Sequence, residues 1–286
     1  LVKTIDTLVE DIYELLEGKS PFELPEHLAQ GFGARMEALV NARVSRTGEE
    51  YTPSLRLSNI GKPCELQTWL SIHKADQSIP LRAEARMKFL YGDVIEELLL
   101  FLSQAAGHTV EGLQTQLDLE GITGHRDAVI DGVLVDVKSA STFSFKKFQA
   151  GELANDDPFG YIGQIQSYLE ASQDDPVVTD KDRCAFLVMD KTLGHLCLDI
   201  HKKVPFDVRE IARRKKDVMT SSTPPERAFA PVPDGKSGNM KLGMQCSYCN
   251  MRNACWPDVR TFLYSNGPRY LTKVVKTPDV PEVKDG

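Results

Sequence analysis

Residues 128–139, AVIDGVLVDVKS, constrain this chain more than any other stretch. Two apolar, β-branched runs flank Asp131-Gly132, the dipeptide that favours a two-residue turn with positive φ at both positions, so the segment predicts a tight β-hairpin. With those two residues as the loop, Ile130 pairs with Val133, and the same register sets Asp127 opposite Asp136. Alternation sends Val133, Val135 and Val137 into the core and turns Asp136 and Lys138 to the other face, a surface the core does not need. Directly opposed side chains have Cβ atoms roughly 5 Å apart, and like charges placed there repel. A cation between them would resolve this, and a hard divalent ion held by two carboxylates and substrate phosphate oxygens fits. The hairpin alone is equally compatible with an outward face that simply carries polar residues.

Around the hairpin the chain alternates helical and strand patterns, which predicts a mixed α/β fold built on a small sheet. Ile5, Leu8, Val9, Ile12, Leu15 and Leu16 recur at helical spacing, GKSPFELP interrupts them, and a second helix is expected over 26–46. A loop, TGEEYTPS, precedes a short helix starting near Cys64, and a long helix over 83–106 stops at Gly107. TVEGLQTQLDL, GHRDAVI and VLVDVKS read as three strands, followed by a helix over 159–171, strands CAFLVMD and HLCLDIH, and a helix over 205–220. The segment after Trp256, ending TPDVPEVKDG, reads as a surface-hugging or disordered end.

The chain has 286 residues and a formal net charge of -7, which argues against coating nucleic acid by bulk electrostatics. It does not argue against a metal-dependent site, where acids gather and concentrate cations locally. Apolar runs such as Leu98–Leu102 fall far short of the roughly 20 residues of a membrane span, and acids interrupt the N-terminal helix, so a cytoplasmic protein with no membrane partner is expected. Gly235-Lys236-Ser237 resembles part of a phosphate-binding loop, but the required glycine five residues earlier is Ala230, so no ATP is expected.

The order GHRDAVIDG, then VDVKS, resembles the second and third motifs of the PD-(D/E)xK nucleases, and YGDVIEEL upstream with GQIQSYLE downstream resembles the flanking motifs of the RecB-like branch. The likeness spans roughly Cys64 to Cys255. The downstream element of that branch, Gln followed four residues later by Tyr, is matched by Gln164 and Tyr168, which a helix places on one face. The branch often carries a His four residues after the Gly of its first motif; counting from Gly92 reaches Glu96, which is taken as a ligand over its neighbour Glu97. The resemblance implies a restriction-endonuclease-like α/β core, with a helical N-terminal extension over 1–50, the nuclease domain over 51–260 and a tail over 261–286. It also implies phosphodiester hydrolysis in DNA. Glu96, Asp127, Asp136 and the Val137 carbonyl would hold Mg2+ or Mn2+. Lys138 would orient the attacking water, and Gln164 and Tyr168 would position the strand or the lysine. His125 would face Lys138 in the expected register. Phosphate tracking is assigned to Lys146, Lys147, Lys202, Lys203 and the Arg213, Arg214, Lys215, Lys216 cluster, for each of which a solvated face is an equal reading.

Six cysteines without a secretory signal read as thiols or metal ligands. Cys246, Cys249 and Cys255 form a C-x2-C-x5-C array, with Cys64 far upstream. This combination resembles iron-sulfur nucleases of the AddB type and their CRISPR-associated relatives, which implies a [4Fe-4S] cluster stapling the ends of the nuclease domain. Thiolate chemistry alone leaves Zn2+ as the alternative occupant. Cys184 and Cys197 lie in apolar strands and read as buried core thiols. The expectation is a stand-alone DNA exonuclease of recombination, repair or phage DNA processing, in the host cytoplasm if phage-encoded, with a recombination or single-strand-binding protein as possible partner. The alternatives are a CRISPR-adaptation nuclease that trims DNA and a non-catalytic subunit that binds DNA ends.

Overall fold

The computed structural model describes residues 3–19, 23–45 and 53–283; most of the loop expected after the second helix lies outside them. In chain order the elements are α1 (Leu8–Leu16), α2 (Glu26–Val44), α3 (Glu65–His73), α4 (Ala83–Ala105), β1 (Val110–Glu111), β2 (Gln116–Leu119), β3 (Ile122–His125), β4 (Ala128–Ile130) and β5 (Val133–Ala140). Then come α5 (Thr142–Gln149), α6 (Tyr161–Ala171), β6 (Arg183–Asp190), β7 (Leu196–Lys202), α7 (Val208–Thr220), β8 (Val232–Pro233) and β9 (Met240–Lys241). The chain closes with α8 (Met244–Ser247), α9 (Arg252–Cys255), β10 (Arg260–Tyr264), β11 (Gly267–Lys273) and β12 (Glu282–Val283). Mixed α/β architecture is therefore present, in two compact units. The first takes in Arg56–Gly61, Arg82–Ala212 and the described residues before position 46; the second takes in residues 53–55, Lys62–Leu81 and everything described from Arg213 onward.

In the first unit the sheet order is β1-β4-β5-β6-β7. The hairpin forms in the expected register, with Ile130 opposite Val133 and Ala128 opposite Val135. Asp131 and Gly132 turn it with φ of 50° and 81°, the left-handed pair that a tight hairpin turn needs. Gly132 is also required by space, since a Cβ there would stand 1.9 Å from Thr179 Oγ1. On its other side β5 pairs in parallel with β6, and a parallel neighbour demands a long crossover, which α5 and α6 provide.

Val133, Val135 and Val137 enter a core with Ile95, Leu99 and Leu100 of α4 and with Ile5, Leu8 and Ile12 of the N-terminal segment. Fully burying each such side chain is worth about 1.5–3 kcal/mol, so α1 is a core element of this unit instead of the expected extension. Tyr13 adds a hydrogen bond, its Oη accepting from Leu196 N at 2.6 Å. Helix α2 does behave as an appendage: it buries none of its described residues. It is held to α4 by Arg35 on Glu97 at 2.7 Å, by Arg43 on Asp93 and by the Phe32 and Phe101 rings, 4.7 Å apart.

Three expectations need correction. The face of β5 opposite the valines is not a surface, because Leu134 and Asp136 are both buried, Asp136 at 1% exposure. Two of the expected strands split: TVEGLQTQLDL becomes β1 and β2, and GHRDAVI becomes β3 and β4. Positive φ at Gly112 and Gln114 bends the chain between β1 and β2, so β2 and β3 form a separate two-stranded sheet. His125 consequently pairs with Gln116 and does not face Lys138.

The second unit has its own core of Leu66, Trp69, Leu70, Met219 and Met251 and a sheet ordered β12-β10-β11-β9-β8. The expected C-terminal tail is thus largely ordered strand, and β10 pairs with β11 from Arg260 on Leu271 to Tyr264 on Gly267. The last residues of the tail, 284–286, lie outside the described part. Among the described residues no helix is long and apolar enough to cross a membrane.

Candidate active site

Three carboxylates of the first unit, on α4, just before β4 and on β5, lie within electrostatic reach of one another. Asp136 comes from the middle of β5; its Oδ1 accepts from Gln164 Nε2 at 3.1 Å and its Oδ2 is paired with the Lys138 ammonium. Asp127 stands just before β4, one position beyond the last ladder pair, Ala128 with Val135; its charge interacts with that of Asp136, and its Oδ2 accepts from the Val137 backbone N–H at 2.7 Å. Glu96 reaches in from α4, with Oε1 accepting from Gln114 Nε2 at 2.6 Å. Of the two adjacent glutamates, Glu97 is occupied by Arg35 on α2, whereas Glu96 shares its electrostatic surroundings with Asp136.

The electrostatics reflect that crowding. Burial raises the Glu96 carboxyl from its ordinary 4.5 to about 7, with the charges of Asp136, Glu97 and Asp93 adding to it and the Gln114 hydrogen bond opposing. Asp127 is pushed well above the usual range by burial and then by Asp136 and Glu96. Burial alone would lower Lys138, but Asp136 and Asp127 beside it outweigh that and hold the ammonium firmly protonated. Its Nζ also lies over the Tyr161 ring, 5.2 Å from the centroid, a cation–π contact.

Gln164 and Tyr168 share a face of α6, as their spacing requires; Gln164 Nε2 lies 3.3 Å from Tyr168 Oη. Burial and the Asp136 charge push the Tyr168 phenol up to about 12, so it stays protonated. The N-terminus of the helix is fixed by Asp157, whose carboxylate accepts from the backbone N–H of Gly160, Tyr161 and Ile162 at 2.8–2.9 Å, satisfying donors that every helix start leaves open. Two site residues were missed by sequence reasoning. Tyr161 was legible, because it precedes Gln164 by three positions and Tyr168 by seven on one helical face. Gln114 carried no periodic signal.

The donor set, three carboxylates, is the oxygen chemistry that Mg2+ and Mn2+ take. A further observation supports the fit: buried Asp136 Oδ2 lacks a well-formed hydrogen bond and meets only the Lys138 ammonium among the described residues. As they stand, no three His, Cys, Asp or Glu side chains among the described residues form a ready cage for a metal ion.

The phosphate-tracking assignments divide. Lys146 is exposed, but Lys147 is paired with Asp156 and lies over the Phe143 ring. Lys202 is exposed, while Lys203 is held by Glu170 at 3.0 Å. In the cluster on α7, Arg213, Arg214 and Lys216 are exposed. Lys215 is removed from the set, because it is 6% exposed and donates from Nζ to Lys62 O at 2.7 Å.

All four cysteines of the expected cluster belong to the second unit. Cys64 precedes the first residue of α3, Cys246 lies in α8, and Cys255 ends α9. Cys64, Cys249 and Cys255 pack against the apolar core of that unit. Burial raises the Cys249 thiol to about 11, and the charges of Cys64, Cys246 and Cys255 contribute. Cys246 is raised first by burial and then by Cys64 and Cys255. Four thiols that repel one another as thiolates are a chemically fitting set for a cationic centre. Cys184 and Cys197 are buried strand residues, as expected.

No family model matches the chain, and no curated protein matches it. Among solved structures, one described as "Crystal structure of SSO0001" aligns with 77% of this chain and 93% of its own, at 13% identity and a TM-score of 0.41. A likeness of that size carries no argument about function. The molecule is, at the level these findings define, a mixed α/β protein with an acidic, lysine-bearing site on the central sheet.

Proposed function

We propose that the first unit is a PD-(D/E)xK nuclease core and that the protein is a metal-dependent DNA exonuclease. The observation that carries this reading is the electrostatic grouping of Glu96, Asp127 and Asp136, with Lys138 paired to Asp136 and Gln164 holding Asp136. Mg2+ or Mn2+ would be held by the three carboxylates and the Val137 carbonyl, and the chemistry it supplies when bound is polarisation of the scissile phosphate and activation of water. The Lys138 ammonium, kept charged by two aspartates, orients the nucleophile and stabilises negative charge developing on the phosphate. Gln164 fixes Asp136 Oδ1, Tyr168 supports Gln164, and Val137 N–H fixes Asp127, so each acid is held by a neutral donor. In the second unit the four cysteines are proposed to bind a [4Fe-4S] cluster, with Zn2+ as the alternative, tying residue 64 to residue 246.

The test is incubation of end-labelled linear DNA with the protein and Mg2+, alongside closed circular DNA and the Asp136→Ala variant. Short products from the linear substrate alone, lost in the variant, support an end-dependent nuclease at this site. Undiminished cleavage by Asp136→Ala would remove the site, and equal cleavage of closed circles would replace exonuclease by endonuclease.

A further inference from the structure

The loop between β1 and β2 contributes a residue to the acidic site that no motif contains. Gln114 has φ of +47°, a left-handed conformation that costs a residue with a Cβ roughly 1–2 kcal/mol and that tends to persist where surrounding structure over-determines it. From that conformation it makes two contacts in different directions. Its side-chain Nε2 donates to Glu96 Oε1 at 2.6 Å, and its backbone N–H donates to Asp127 O at 3.1 Å. One residue therefore ties the carboxylate arriving on α4 to the backbone of the one arriving before β4.

The loop is held from behind by Arg126, which is buried at 1% exposure. Its Nε donates to Gly112 O at 3.1 Å, its Nη1 pairs with Asp175 Oδ2 at 2.7 Å, and its backbone N–H donates to Thr115 O at 3.2 Å. The guanidinium lies so close to the loop that a Cβ on Gly112 would stand 2.3 Å from Nη2. Asp127 follows Arg126 directly in sequence, so the same anchor fixes both the loop and the acid.

We infer that Gln114 is a positioning residue for the metal site, setting the orientation of Glu96 relative to Asp127 so that both present oxygens to one divalent cation. The inference rests on the nuclease reading and adds to it a residue outside the family's motifs. An amide suits this role better than a basic side chain. It fixes one carboxylate oxygen by hydrogen bond while leaving the full negative charge, and the second oxygen, for the cation. Partners of metal ligands typically change metal affinity about 10–100-fold when removed.

The test is calorimetric titration of the purified full-length protein with Mn2+, comparing wild type, Gln114→Gly, Gln114→Asn and Asp136→Ala, with melting temperatures recorded for each. Glycine adopts positive φ without strain and asparagine tolerates it, so both variants remove or shorten the amide without disturbing the loop. The expected result is Mn2+ binding weakened about 10–100-fold in Gln114→Gly with an unchanged or higher melting temperature, and cleavage restored by raising Mn2+ in proportion. Wild-type Mn2+ affinity in Gln114→Gly, with binding lost in Asp136→Ala, overturns the role of Gln114 and leaves the nuclease reading standing. Reduced binding accompanied by unfolding of both Gln114 variants, or cleavage that added Mn2+ does not restore, makes the residue merely structural. Absence of Mn2+ binding by the wild type itself overturns both.

Discussion

Replacing Glu96 by Gln should stabilise the metal-free protein, and the gain should grow with pH. The Glu96 carboxyl stands at about 7 in the folded chain against 4.5 ordinarily, through burial and then the charges of Asp136, Glu97 and Asp93. A group whose folded value is raised binds more protons in the native than in the unfolded state between those two values, so stability falls as pH rises through that window. Below pH 4 the residue is protonated in both states and contributes nothing. Above pH 7 it is charged in both, and the displacement from 4.5 to about 7, at about 1.4 kcal/mol per pH unit, costs the fold about 3.5 kcal/mol. That figure is an upper bound, because Asp127 titrates in the same field and protonation of either relieves the other. Glutamine keeps an oxygen for the Gln114 amide and carries no charge, so Glu96→Gln should match the wild type near pH 4 and exceed it near pH 8. At about 2–4 °C per kcal/mol for a unit of this size, several degrees should separate the melting temperatures at pH 8, measured in chelator. Added Mg2+ should raise the wild type at pH 8 and narrow the gap. Parallel melting-temperature profiles for the two proteins from pH 4 to 8 would refute the crowding of charge at this site.

Three further outcomes follow from the geometry. Lys138→Met should lower the single-turnover cleavage rate by about 10²–10³-fold while leaving Mn2+ binding in place; a loss of metal binding instead would make the lysine a structural counter-charge. Gly132→Val should destabilise the protein by about 2 kcal/mol or more, because the turn needs positive φ and a Cβ there meets Thr179 Oγ1; urea midpoints unchanged from wild type would contradict the hairpin. Cys249→Ser should give protein without iron and without the visible absorption of a cluster, whereas anaerobically purified wild type that is colourless and holds one zinc would replace the cluster by a zinc site.

What the sequence made legible was whatever depends on local rules. Asp131-Gly132 fixes a turn type and hence a register, and that register is the observed one, with Ile130 opposite Val133 and Ala128 opposite Val135. The spacing of Gln164 and Tyr168 fixed a shared helical face. Glu96 against Glu97 was a choice that only tertiary structure could inform, since it depends on Arg35 approaching from α2. The same holds for Lys215, whose inward turn onto Lys62 O leaves no mark in a run of four cations. The strands β10 and β11 were legible and missed, since RTFLY and PRYLTK flank a short Ser265-Asn266 turn, whereas the pairing of β12 is set by a partner farther along the chain, Thr261 with Val283. Gln114 was invisible for a related reason: a non-glycine residue at positive φ is recognised from coordinates, not from composition.

The burial of Asp136 changes what the opening hairpin implies about the molecule as a whole. A central strand covered on both faces reads most stably as a continuous apolar run, and β5 follows that rule from Val133 to Val137 except at position 136. An apolar residue there would remove a buried carboxylate, its repulsion from Asp127 and the need for a compensating Lys138, and replacing a buried ion pair by apolar residues is often neutral or stabilising. The chain instead surrounds Asp136 with Gln164, Lys138 and, through them, Tyr168 and Tyr161. Departures from local rules concentrate at functional sites, and here the departure in β5 coincides with the left-handed Gln114 and the raised Glu96 and Asp127. The raised Glu96 and Asp127 both follow from burial beside Asp136, and the left-handed Gln114 joins them through its bond to Glu96, so these departures share one location, which is what the proposed cation site requires.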